Sequence, residues 1–138
     1  MENKNLAEGR FALVVRGKDL PFEKLNGLFE LEDIRSVRKG EQINYLPLIV
    51  ADEDEWVGSI ELTTPKAEDT KLNALLAQMI VKKDELLSIC GDNSVILRLS
   101  VRSDRAQIAY MLMPETLGRI VAVGLPVELT SLSWGEVV

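Results

Sequence analysis

A chain of 138 residues and 15.4 kDa, 46% hydrophobic and 28% charged, has the size and composition of one soluble globular domain rather than a disordered or membrane-embedded one. With no histidine and a single cysteine, Cys90, it excludes Ser-His-Asp and Cys-His catalysis, an internal disulfide and the ordinary structural zinc sites. The net charge of −6 falls entirely in residues 1–69, where nine Lys/Arg face fifteen Asp/Glu; residues 70–138 hold seven of each. An acidic half repels the phosphate backbone of nucleic acid and steers a basic protein partner toward itself.

The opening "MENKNLAEGR" is polar, so residues 1–9 are expected to be a flexible N-terminal segment without a secretory signal. No apolar run approaches the roughly 20 residues of a spanning helix, and the expected location is cytoplasmic. "RFALVVRG" (10–17) reads as a first strand. "DLPFEKLNGLFEL" follows as a short helix started by Pro21, with Leu25 and Leu28 on one face and Gly27 weakening it. "IRSVRKGEQ" is a strand broken at Gly40.

"INYLPLIV" and "WVGSIELTT" both alternate with period two, which predicts a hairpin whose turn is Ala51 to Glu55 and whose first arm, carrying Pro47, lies at a sheet edge. Trp56, Gly58, Ile60 and Leu62 share the face expected to meet the core. From Glu68 to Cys90 the stripe Leu72, Leu75, Leu76, Met79, Ile80 is helical, "VKKDE" interrupts it, and Leu86, Leu87 and Cys90 resume it before Gly91. That predicts one bent helix or two in succession.

"SVILRLSVRSDRAQIAYMLM" predicts a second hairpin turning at "SDR", with Val95, Leu97, Leu99 and Val101 inward. A helix opened by Pro114 and a strand over "PVELTSLSW" complete a single α+β domain, a mainly antiparallel sheet with helices on one face. "LPFEKLNGL" and "MPETLGRIVAVGL" share an apolar residue, a helix-starting proline and a following strand. This fits either an internal duplication of a β-α-β unit or the generic grammar of a strand-to-helix joint.

Three stretches invite a chemical reading. Asp52, Glu53, Asp54 and Glu55 are four adjacent acids without the alternate-position spacing, glycine or closing glutamate of a calcium loop, so no metal site is expected and a solvated turn is. Arg98 and Arg102 on one strand face, with Arg105 at the turn, have the geometry to hold a carboxylate or phosphate, although a solvated sheet face has the same pattern. "RKGE" (38–41) has one glycine beside two cations, too little for a phosphate loop.

"VRKGE" after the first helix, the tryptophan about 15 residues later, "LNALLAQMI", "VILRLSV" and "MPETLGRIVAVGLPVELTSLSW" together resemble a bacterial family, number 4279 among the domains of unknown function, from about Phe11 to Trp134. The matching points are Lys39, Gly40, Trp56, Pro114, Glu115 and Leu117; the acidic region 43–55 departs from the family pattern. The resemblance implies a small α+β domain and brings no activity, cofactor or catalytic residue. The leading expectation is thus a non-enzymatic protein-binding module, in the manner of an immunity protein or antitoxin. Its acids 52–55 would steer a basic partner, and Tyr45 and Ile49 would anchor it. The alternative is a sensor or enzyme for a small anionic ligand, built on the arginine-bearing sheet face or on a pocket under Trp56. No cofactor is expected, and the oligomeric state is open.

Overall fold

The computed structural model describes residues 8–45, 48–62, 69–105 and 111–136. In chain order the elements are β1 (Glu8–Gly17), α1 (Phe22–Asn26), β2 (Asp33–Val37), β3 (Gln42–Tyr45), β4 (Leu48–Val50), β5 (Asp54–Glu61), α2 (Asp69–Val81), α3 (Lys83–Cys90), β6 (Ser94–Arg105), α4 (Pro114–Val123) and β7 (Val127–Glu136). β1 starts at Glu8, so the end of the segment expected to be flexible is already paired, Glu8 with Arg102 and Gly9 with Val101.

Five strands form one sheet in the order β2-β5-β1-β6-β7, antiparallel except at the β6–β7 joint; β3 and β4 form a separate two-stranded sheet. β1 occupies the centre, which explains its unbroken apolar run: Phe11, Leu13 and Val15 enter the main core, and Ala12 and Val14 are buried on the opposite face. β6 shows the expected alternation, with Val95, Leu97 and Leu99 buried and Ile96, Arg98 and Ser100 half-buried; Val101, expected inward, is also only half-buried. The core-facing row of β5 is as the sequence predicts, Trp56, Gly58, Ile60 and then Leu62.

Leu72, Leu75, Leu76 and Met79 of α2, Leu86 and Cys90 of α3, Ile120 and Val123 of α4 and the α1 segment Leu20–Phe29 contribute to the same core cluster. All helices therefore serve one face of the sheet. The helical stretch breaks at Lys82, whose ammonium donates to the Leu28 carbonyl at 2.8 Å. Ile80 and Leu87, counted with the apolar stripe, are each more than a third exposed. Gly58 has a steric reason: a Cβ there would overlap both Leu31 and the Trp56 indole, which lies over the glycine.

The described residues depart from both expected hairpins. Among the described residues, arm 43–50 does not pair with arm 56–64; β5 instead pairs with β1 and β2, because Trp56, Gly58 and Ile60 are buried and need strands on both sides. β3 and β4 close on each other, with a bulge between Gln42 and Asn44. Pro47 lies outside the described residues. At the second site β6 runs straight through the "SDR" expected to turn, ending at Arg105, and its outer neighbour is β7 in parallel register. Residues 106–110 of the expected return arm lie outside the described residues, and 111–113 carry no regular structure.

The two proline-started segments both become strand-helix-strand units with parallel strands. β1 and β2 have β5 between them, whereas β6 and β7 are direct neighbours.

Candidate functional site

The β3–β4 hairpin stands on a polar base. Between β2 and β3 the chain turns at Arg38–Glu41, where Gly40 has φ +93°, a conformation that a side chain disfavours. Glu41 closes the turn by accepting from the Arg38 amide at 2.9 Å, and the Gly40 amide donates to the Ala51 carbonyl at 2.8 Å, extending the hairpin to its root.

Asp54 locks that root. Its carboxylate accepts from the Lys39 amide (2.9 Å), the Leu20 amide (3.1 Å) and Arg38 Nη1 (2.6 Å), joining the β1–α1 connection, the β2–β3 turn and the start of β5. The Arg38 guanidinium lies 3.8 Å from the centre of the Phe22 ring, so the same side chain also grips α1. A buried carboxylate is tolerable because three N–H groups satisfy it. The Lys39 amide above all, against the opposing effect of burial, together with Arg38 and Leu20, holds its pKa below the ordinary aspartate value.

Next to this anchor Ile43, Leu48, Ile49 and Val50 are all exposed, between 42% and 66%. Leu48 and Val50 share one face of β4 and Ile49 takes the other, so the hairpin exposes large apolar side chains on both faces, an exposure of the kind that marks interaction surfaces. Below it lies a cleft of about 300 Å³ lined by Val37, Ile43, Ala51, Arg16, Asp52, Glu53 and Glu55. Arg16 Nε donates to Glu55 Oε2 at 2.6 Å. That bond above all, opposed by partial burial and aided by the charges of Glu55, Glu128 and Glu53, raises the arginine's pKa.

The four acids thus have different fates. Asp52 and Glu53 are exposed in the β4–β5 connection, as a solvated turn requires, whereas Asp54 is buried and Glu55 pairs with Arg16 directly opposite on β1. The expectation of one solvated turn fails for the second pair because β5 begins at Asp54, in phase with Trp56. Ile49 is on the exposed hairpin; Tyr45 ends β3, and its side chain lies outside the described residues.

The arginine row lies on the sheet face away from the helices. There Arg98 Nε donates to Glu128 Oε1 on β7 at 2.6 Å, and Arg102 is exposed four residues further along β6. Arg105 ends β6 in register with Glu136, its side chain outside the described residues. Strand register adds Arg10, Arg16 and Arg35 to this face, interleaved with Asp33, Glu55, Glu61 and Glu128. The face is a mixed-charge lattice rather than a convergent cation site. Trp56 is fully buried, its indole N–H donating to Asn26 Oδ1 at 2.8 Å, so it belongs to the core.

Of the remaining positions, Lys39 supplies an amide to Asp54, and Gly40 forms the turn. Pro114 starts α4, Glu115 pairs with Arg119 one turn on, and Leu117 is exposed. Among the described residues no group of three His, Cys, Asp or Glu is placed to hold a metal ion, and no helix is long and apolar enough to cross a membrane.

The roles of Arg38, Arg16, Val37, Ile43, Leu48 and Val50 have only faint sequence signals. The clearest is phase: extending the β5 alternation back from Trp56 by two places puts Asp54 on the core-facing row.

A family model described as "Domain of unknown function (DUF4279)" matches residues 7–133. No curated protein and no solved structure matches the chain.

Proposed function

The chain belongs to the DUF4279 family, and from that premise we propose that it is a non-enzymatic module that docks a basic protein through the β3–β4 hairpin, in the manner of a cytoplasmic immunity protein or antitoxin. The observation that carries this reading is the exposure of Ile43, Leu48, Ile49 and Val50 on a hairpin bolted to the domain by Asp54. An apolar hairpin whose root is held by hydrogen bonds loses less conformational freedom on association than a free loop, which favours binding. The net charge of −6 and the exposed Asp52 and Glu53 beside the hairpin select a basic partner over an acidic one.

The anionic-ligand reading of Arg98, Arg102 and Arg105 has less behind it, since Arg98 is engaged by Glu128 and acids alternate with the arginines across that face.

The test takes the products of the genes adjoining this one and measures their binding to the wild type and to a Leu48→Ser/Ile49→Ser variant. One basic product should bind the wild type, and the variant should bind at least thirtyfold more weakly with its melting temperature unchanged. Equal binding by the two proteins, or no binding by any adjoining product, would overturn the reading.

A further inference from the structure

Resting on that docking reading, we infer that the cleft under the hairpin receives a long basic side chain, lysine or arginine, projecting from the partner. Val37, Ile43 and Ala51 provide apolar lining, and Asp52, Glu53 and Glu55 face a single lining cation, Arg16, which leaves a formal charge of −2. Arg16 is tied at 2.6 Å to Glu55. Asp52 and Glu53 are exposed, and among the described residues neither takes part in a hydrogen bond or salt bridge.

A surface that is apolar at one side and acidic at the other matches a side chain with an aliphatic stem and a cationic head. An apolar side chain seated there would strip water from Asp52 and Glu53 without offering them a charge in return. An acidic one would be repelled. Ile43 lines the cleft and is itself exposed, so a partner segment docked on the hairpin meets both.

The experiment needs no native partner. The ¹⁵N-labelled full chain is titrated with acetylated, amidated Gly-Arg-Gly and Gly-Lys-Gly, with Gly-citrulline-Gly as the neutral arginine isostere, and amide shifts are followed by NMR. The charged peptides should give saturable shifts at Val37, Ile43 and Ala51–Glu53 with affinity of roughly 1 mM, and citrulline should give none. Asp52→Asn/Glu53→Gln should weaken the charged peptides by about tenfold while leaving the rest of the spectrum in place.

Shifts spread evenly over other exposed acids such as Glu23, Asp84 and Glu85, or citrulline binding as well as arginine, would overturn the inference. Because the titration reads the cleft alone, a negative result alongside hairpin-dependent binding of an adjoining gene product removes the basic anchor and leaves the docking reading standing. Cleft-specific shifts without such a product remove the docking reading instead.

Discussion

Ile43, Leu48, Ile49 and Val50 on the β3–β4 hairpin are the same kinds of residue as Val95, Leu97 and Leu99 on β6, yet the first group meets solvent and the second is buried against the helices. Local pattern decides that each segment is a strand. Burial depends on what lies opposite, and only β6 has β1 on one side, β7 on the other and a helical layer beneath. An apolar strand without such neighbours is a surface in waiting, and here it is mounted on a buried carboxylate.

The sharpest way to break the contrast is to place a charge in the buried region. Leu97→Asp should unfold the domain, a loss of about 4 kcal/mol or more in denaturant titration, because an unpaired carboxylate enters a fully buried position. A Leu97→Asp protein with a native melting curve would show that the core assignment is wrong.

Next in size is the mount itself. Asp54→Ala strands Arg38 and leaves the Lys39 and Leu20 amides without their acceptor, at a cost of about 3 kcal/mol. Hydrogen exchange should quicken first at Gly40 and Ala51, at the hairpin root. The same group gives a pH signature. Its pKa is lower in the fold than the ordinary 3.8, so its contribution is complete above about pH 3.8 and is lost as pH falls through the folded value. Asp54→Asn should flatten that acid limb, which equilibrium unfolding across pH 2–5 would resolve; an unchanged slope would place the carboxylate in water.

Gly58→Ala should cost about 2 kcal/mol, since the added methyl presses on Leu31 and the Trp56 indole. Tryptophan fluorescence of the folded variant should shift as the ring is displaced. Smallest of all, Leu48→Ser should change stability by about 0.5 kcal/mol or less, because the side chain is already two-thirds exposed. A large loss there would mean that the hairpin is part of the core and not a docking surface.

How much of this could be read in advance follows the same division. Period two in 95–99, the leucine stripe with its break near Lys82, and the prolines opening the first and last helices were legible because each reports local backbone geometry. Pairing was not: "INYLPLIV" and "WVGSIELTT" alternate alike, and nothing local says that one joins the central sheet and the other does not. In the run 52–55 charge hides phase, and phase is what separates buried Asp54 from exposed Asp52 and Glu53. The exposed hairpin is half legible: edge position points to Ile49, whereas the exposure of Leu48 and Val50 depends on the absence of a neighbouring strand that no local pattern reports.

The central place of β1 also bears on how the chain is made. Its two partners differ greatly in sequence distance: Gly17 opposes Asp54 and Arg10 opposes Glu61, but Glu8 must wait for Arg102. During synthesis at about 5–20 residues per second, some 40 residues separate completion of β5 from completion of β6, an interval of roughly 2–8 s. Throughout it the β6-facing edge of β1 is open, with the five apolar residues "FALVV" between the flanking charges of Arg10 and Arg16, and an open apolar edge is where strands pair with the wrong chain. Slowing translation between codons 62 and 102 should therefore raise the aggregated fraction.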